Sequence, residues 1–91
     1  MQFQHETGRF FTEADGKLQA EVTYKIQEEP KIFTIDHTYV DPALRGHNVA
    51  EDLVNAVVDL AREEGYKVKP QCRYAVVLFR RYQEKYQDVQ V

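Results

Sequence analysis

Between Lys17 and Ile26 the chain alternates without a fault: Leu18, Ala20, Val22, Tyr24 and Ile26 interleave with Lys17, Gln19, Glu21, Thr23 and Lys25. Successive side chains of a strand point to opposite faces, so this segment is a half-buried strand with one face turned to a core. A strand of that kind needs partners. Residues 9 to 13 read as a short strand, and Ala14-Asp15-Gly16 supplies the turn of a hairpin between the two. Downstream, Glu28-Glu29-Pro30 ends the alternation, because Pro30 cannot donate a ladder hydrogen bond. A third strand is expected from Lys31 to Val40. There Phe33, Ile35, His37 and Tyr39 should share one face, and Ile32, Thr34, Asp36, Thr38 and Val40 the other. Both faces are partly apolar, which suits a central strand covered on both sides.

Past Asp41-Pro42 the period changes. Val49, Leu53, Ala56, Val57, Leu60 and Ala61 recur at three- and four-residue spacing, an amphipathic helix from about Asn48, with Gly65 placed to cap its C-terminus. Residues 66 to 70 form a brief strand closed by Pro70. A second helix should run from about Cys72 to Lys85, with Ala75, Leu78, Phe79, Tyr82 and Tyr86 along one side, followed by a frayed tail. The order is β-β-β-α-β-α. Its crossover helix pairs the third and fourth strands in parallel. The expected fold class is therefore α+β, a four-stranded mixed sheet with helices packed on it, and residues 1–91 read as one domain.

Composition narrows the function classes. The chain of 91 residues carries 15 acidic and 12 basic side chains, a net charge of −3. Its basic pairs, such as Arg80-Arg81, are short and lie among acids, so the electrostatic footprint of a nucleic-acid binder is missing. The longest apolar run, Ala75 to Phe79, is far below the ~20 residues that cross a bilayer, and no membrane partner is expected. The N-terminus has no basic and apolar signal pattern, and Cys72 stands alone, so a reducing cytoplasmic location is expected. The three histidines and one cysteine have no metal-ligand spacing, and no metal is expected.

The segment that carries chemistry is Val40-Asp41-Pro42-Ala43-Leu44-Arg45-Gly46-His47-Asn48-Val49-Ala50. A strand ends, a loop turns and a helix begins. The first amides of that helix have no intrahelical partner and the helix dipole adds positive charge, which makes an anion site. Gly46 permits close backbone approach and Arg45 adds a full charge. The plain alternative is a capping box, with Asn48 and Glu51 satisfying those amides internally. A Walker-type loop is excluded, since no Gly-Lys-Ser/Thr follows.

This junction resembles the acetyl-CoA loop, Arg/Gln-x-x-Gly-x-Gly/Ala, of the GCN5-related N-acetyltransferase superfamily. The runs His37-Thr38-Tyr39-Val40, Arg45-Gly46-His47-Asn48-Val49-Ala50-Glu51-Asp52-Leu53 and Pro70-Gln71-Cys72-Arg73-Tyr74 are similar to three motifs of its small, truncated subfamily. The likeness covers about residues 9 to 82. It implies acetyl transfer from acetyl-CoA to a primary amine, on a small molecule or a protein. It also implies a coenzyme site formed by Val40, Arg45, Gly46, His47, Asn48, Val49, Ala50 and Tyr74. In it Gly46 and the amides of His47 to Ala50 would hold the pyrophosphate, backbone near Val40 would pair with the pantetheine arm, and the thioester would lie close to Cys72. Asn48 stands where the motif has a second glycine. Phe79 stands where many full-length relatives have a proton-donating tyrosine, and the N-terminal strand and helices that shape their acceptor pocket are expected to be missing.

Two side chains are candidate catalytic groups. Cys72, at a helix N-terminus beside Arg73, can serve as nucleophile or proton donor, or simply fill core. His37 can accept the amine's proton or be a hydrogen-bonded core residue. The competing functions are an acyl-CoA-binding sensor without turnover and an interaction domain whose loop is only a helix cap. The tyrosine-rich second helix leaves a monomer or a weak homodimer open.

Overall fold

The computed structural model describes residues 2–91. Five strands form one mixed sheet in the order β1-β2-β3-β4-β5: β1 (Gln4–Glu6), β2 (Arg9–Ala14), β3 (Lys17–Glu28), β4 (Lys31–Val40) and β5 (Lys67–Pro70). The first four are antiparallel neighbours, and β5 pairs with β4 in parallel after the crossover helix α1 (Val49–Glu64). The sheet has one strand more than expected. β1 is short and exposed along its length, so no apolar alternation marks it; it exists because Gln4, His5 and Glu6 pair with Phe11, Phe10 and Arg9.

The hairpin between β2 and β3 turns on Asp15 (φ 54°) and Gly16 (φ 75°), two consecutive left-handed residues that match the twist of the strands. The alternation of β3 does what it predicts. Ala20, Val22 and Tyr24 are buried and meet Val49, Leu53, Val54, Val57, Val58 and Ala61 of α1 in one core. That helix ends on Gly65 (φ 81°), whose amide donates to the Ala61 carbonyl.

The expected face sharing in β4 fails, for one local reason. Thr23 pairs with His37 but Tyr24 pairs with Ile35, so Asp36 is an extra residue in the ladder, a β-bulge. A one-residue slip exchanges the two faces. Phe33 and Ile35 therefore face the core before the bulge, whereas Thr38 and Val40, opposite Val22 and Ala20, take that side after it. His37 and Tyr39 are turned to the other face and are exposed.

That other face was expected to be covered as well, and it is not. The sheet residues of the core come from one side, and Phe11 on the other lies outside the cluster. Phe11 is buried nonetheless, because the Arg9 guanidinium lies 3.6 Å above its ring.

The C-terminal helix also departs from expectation. It breaks at Tyr82 (φ −119°, ψ 54°) into α2 (Arg73–Arg81) and α3 (Gln83–Tyr86). The break lets Tyr86 turn inward to stack on Phe79, with ring centroids 4.3 Å apart, and to donate its hydroxyl to Asn55 of α1. Tyr82, expected in the packed stripe, is exposed.

The tail is held rather than frayed. Val89 is buried, and Val68 and the tail exchange backbone bonds: Val68 N to Val89 O at 2.7 Å and Val91 N to Val68 O at 3.0 Å. Arg62 fixes it from α1 through a two-point contact with Asp88, at 2.9 and 3.0 Å.

Burial, and secondarily the negative field of Glu51, pushes the Tyr86 phenol up to about 12 from 10.0. A raised value in the folded state means that the neutral phenol stabilises the fold below pH 10 and that this contribution is lost as pH rises towards 12. Replacing Tyr86 by Phe leaves the Asn55 carbonyl without its donor and should cost about 1–2 kcal/mol at neutral pH. Denaturant melts against pH check this: the variant should lose less stability than wild type across that alkaline window.

Candidate functional site

The site is built where β4 and β5 part. Their parallel pairing runs from Ile32↔Lys67 to Ile35↔Pro70 and stops. The amides of Gln71 and Cys72 then both donate to the Ile35 carbonyl, each at 2.9 Å, which turns the chain away from β4 and into α2. From Asp36 to Val40 the edge of β4 that faced β5 has no strand beside it among the described residues. The result is a forked sheet with free backbone along one prong.

The loop at the end of that prong is rigidly started. Asp41 donates its amide to Gln19 O at 2.7 Å, and its carboxylate accepts from the Ala43 amide at 2.9 Å, with Lys17 at 3.5 Å. The Ala43 amide first, and Lys17 after it, hold the Asp41 carboxyl below the ordinary carboxylate range. A single 3-10 turn over Pro42–Leu44 follows. The chain then takes two left-handed residues, Gly46 (φ 88°) and Asn48 (φ 59°), before α1 begins.

This geometry overturns the capping-box alternative. The Asn48 side chain makes no capping hydrogen bond. The helical ladder starts at Asp52 N, which donates to Asn48 O at 3.0 Å, so the amides of Val49, Ala50 and Glu51 precede it. Among the described residues these three amides have no hydrogen-bond partner, the condition for receiving an anion.

A cleft of about 200 Å³ lies against this turn, lined by Val40, Leu44, Arg45, Gly46, Asn48, Val49, Ala50 and Tyr74. Seven of these are the residues singled out in the sequence. His47 is exposed and is not a wall of the cleft. Leu44 was missed, although its position between Pro42 and Arg45 on a 3-10 turn turns it inward, half-buried against the core. Tyr74, in the first turn of α2, is half-buried, and burial first, then the carboxylate of Glu51, pushes its phenol up.

The two candidate catalytic side chains are not brought together. Cys72 is the N-cap of α2 and its Sγ accepts from the Ala75 amide at 3.4 Å, with Thr38 Oγ1 at 4.0 Å. Thr38 is on the core side of β4 past the bulge, so the same slip that expels His37 presents Thr38 to the sulfur. His37 stands on the uncovered face, 3.8 Å from Glu21 Oε1. The other Glu21 oxygen is 2.9 Å from Arg9 Nε, an ion pair whose N–H points off the line to the oxygen. Glu21 and Arg9 were not candidates in the sequence, because their meeting depends on the pairing of three strands.

The architecture is an α+β fold, a mixed sheet forked beside a parallel pair with a left-handed turn feeding a helix N-terminus at the fork. The sequence profile of the family described as GCN5-related N-acetyl-transferase matches residues 9–89, and the chain belongs to that family. A GCN5-like protein of Staphylococcus aureus, solved by NMR and proposed to be an N-acetyltransferase, is 30% identical to it, with a TM-score of 0.79 over 99% of this chain and 87% of that one. Two more distant crystal structures share the fold. The ribosomal-protein-alanine N-acetyltransferase of Brucella melitensis biovar Abortus 2308 has 21% identity and a TM-score of 0.61, over 80% of this chain and 59% of its own. A Clostridium acetobutylicum protein predicted to be an acetyltransferase, and crystallised with acetyl-CoA, has 15% identity and a TM-score of 0.60, over 81% and 55%. No functionally curated protein shows significant sequence similarity to the chain.

The left-handed turn gives a direct test of the loop. Asn48→Gly should be neutral or slightly stabilising, whereas Asn48→Ala should cost about 1 kcal/mol, because a Cβ without a local hydrogen-bonding side chain is disfavoured at this φ. Chemical denaturation of both variants reads the difference.

Proposed function

We propose that the chain transfers an acetyl group from acetyl-CoA to a primary amine, with the open N-terminus of α1 holding the coenzyme. The observation that carries this reading is the uncapped helix start behind Gly46 and Asn48, in a member of an acetyltransferase family. Gly46 and the amides of His47, Asn48, Val49 and Ala50 would receive the pyrophosphate, with Arg45 adding charge. The free edge of β4 up to Val40 would pair with the pantetheine amides, and Tyr74 would wall the arm on its α2 side. These groups fit the cofactor: phosphates want amide donors and positive charge, and an amide-bearing arm wants an unpaired strand edge.

The reaction needs little covalent chemistry from the protein. The amine nitrogen attacks the thioester carbonyl carbon, the C–S bond breaks, the nitrogen gives up a proton and the departing thiolate gains one. Held in line, the two reactants supply much of the acceleration, and backbone dipoles at the fork would stabilise the charge on the carbonyl oxygen. We assign His37 to the amine's proton, because it stands beside the fork on the face that is open to an acceptor. Cys72 is assigned to the thioester side, where α2 and the Ala75 amide face its sulfur. A transient acyl-cysteine or a proton passed to the leaving thiolate would both use that position.

One observation favours the second reading, an acyl-CoA sensor without turnover. Phe79, at the place of the tyrosine in many larger relatives, is buried and stacked on Tyr86, so that position offers no proton to a leaving group.

Calorimetric titration of acetyl-CoA tests the site. Wild type should bind in the micromolar range, and Gly46→Glu should abolish binding by placing a carboxylate among the phosphates. Gly46→Ala, which carries the same unfavourable φ of 88° without the charge, should retain most of the affinity. Equal losses in both variants would mean that the turn's shape, not its potential, is at stake. Absence of binding to wild type would sink both coenzyme readings. Mass spectrometry of protein incubated with acetyl-CoA should show one added acetyl group that Cys72→Ser removes; thiol release with no acetyl on the protein assigns Cys72 to proton transfer instead.

A further inference from the structure

The bulge that turns His37 outward carries a side-chain bond of its own. Thr23 lies between Val22 and Tyr24, both buried on the core side, so its hydroxyl is on the uncovered face. There it donates to Asp36 Oδ1 at 2.6 Å. Asp36 and His37 are neighbours in the chain, and in a regular strand their side chains would point to opposite faces. Here both stand on the uncovered face against Thr23, one as the extra residue and the other as the paired one.

The bond spans the irregularity. It ties the residue that has no place in the ladder to the β3 residue paired with its neighbour, and its length is that of a charge-assisted O–H···O⁻ contact. Asp36 forms no ion pair among the described residues, so Thr23 is the partner that fixes its carboxylate. Both Thr23 and Asp36 are half-buried. His37, by contrast, is exposed, and its Nε2 is 3.8 Å from Glu21 Oε1, beyond hydrogen-bond length. Glu21 is in turn held by Arg9 at 2.9 Å. A ring held so loosely takes its place from its backbone, and that backbone is set by the bulge beside it.

A carboxylate in this place can act in two ways, by its field on a protonated imidazole or by its bond to Thr23. The carboxylate within ion-pair reach of the ring is that of Glu21, whereas the bond to Thr23 is short and made. We propose that Asp36, anchored by Thr23, is a positioning residue for His37: it holds the bulge that keeps the imidazole on the open side of the fork. This role rests on the proposed function of His37 as acceptor of the amine's proton. Asp36 is not a wall of the loop cleft, so binding of the coenzyme should not depend on it.

The test sets disruptive substitutions against conservative ones. Thr23→Val removes the hydroxyl and Asp36→Ala the acceptor, while Thr23→Ser and Asp36→Asn keep the bond, the second without the charge. Thiol release from acetyl-CoA is measured with n-butylamine as the acceptor. Thr23→Val and Asp36→Ala should each lower kcat about tenfold with KM for acetyl-CoA unchanged, and the two conservative variants should stay near wild type. On a His37→Ala background, Thr23→Val and Asp36→Ala should lower kcat no further. NMR relaxation of the His37 ring carbons supplies a readout that needs no turnover. The ring should gain mobility in Thr23→Val and Asp36→Ala and keep its wild-type order in Thr23→Ser and Asp36→Asn. A loss of kcat in Asp36→Asn equal to that in Asp36→Ala would assign the effect to charge and overturn the proposal. So would a further loss on the His37→Ala background, or ring relaxation unchanged in Thr23→Val and Asp36→Ala. Full turnover in His37→Ala alone would overturn the reading of His37 as proton acceptor. The relaxation result decides the positioning claim by itself in that case, and equally where n-butylamine is not turned over.

Discussion

The carbonyl of Ile35 accepts two amides, those of Gln71 and Cys72, and the shape of the site follows from that shared acceptor. The Gln71 amide makes the last rung of the parallel pair, opposite Pro70, and the Cys72 amide donates to the same carbonyl and not forward along β4. The chain is turned off the sheet within one residue, Cys72 becomes the N-cap of α2, and the β4 edge beyond Ile35 is released. Had the parallel pairing continued, the edge proposed for the pantetheine arm would be occupied and Cys72 would be a strand residue. One shared carbonyl thus sets both the groove and the place of the sulfur.

The bulge at Asp36 lies one residue beyond that carbonyl, and the two features act together. It takes up the extra residue where β4 leaves β5, and it reverses which side chains face the helices. Thr38 gains the core side near Cys72, and His37 is delivered to the opposite face, where β2 and β3 supply Arg9 and Glu21. On that face no helix covers the sheet, and Arg9 replaces one locally by lying over Phe11 while Glu21 holds its charge. An exposed aromatic would be a liability on an open sheet; the guanidinium stacked on it keeps the face polar and accessible.

What was legible in the sequence divides along the same line. Period is a local property, so β3, α1 and the Gly65 stop could be read from spacing alone, and the three separated motifs carried the family. Seven of the eight residues that the resemblance implies for a coenzyme site line one cleft, five of them between Arg45 and Ala50, while Val40 and Tyr74 are brought in by the fold. The failures came from pairing. Nothing in Thr34-Ile35-Asp36-His37 announces a bulge, because Asp36 becomes the extra residue only against the register of β3. β1 has no apolar signature and exists through its neighbour. The tail looked frayed because the contacts that order it, Val68 with Val89 and Arg62 with Asp88, cross more than twenty residues.

The start of α1 is the place where local preference and the observed structure disagree most, and the disagreement bears on function. Asn48 and Glu51 have the chemistry of a capping box, worth about 1 kcal/mol, yet Asn48 adopts a left-handed conformation that forgoes it. The helix tolerates this because its stability lies elsewhere: Val49, Leu53, Val54, Val57, Val58 and Ala61 are buried, and Gly65 closes its far end. Glu51 and Asp52 in the first turn offset part of the dipole without touching the free amides. A terminus that leaves its donors open, behind two left-handed residues and beside an arginine, is costly as a cap and well suited to an anion. In the proposed complex a pyrophosphate would satisfy the amides that the side chains decline, and the stability forgone in the free protein would become binding energy at the loop.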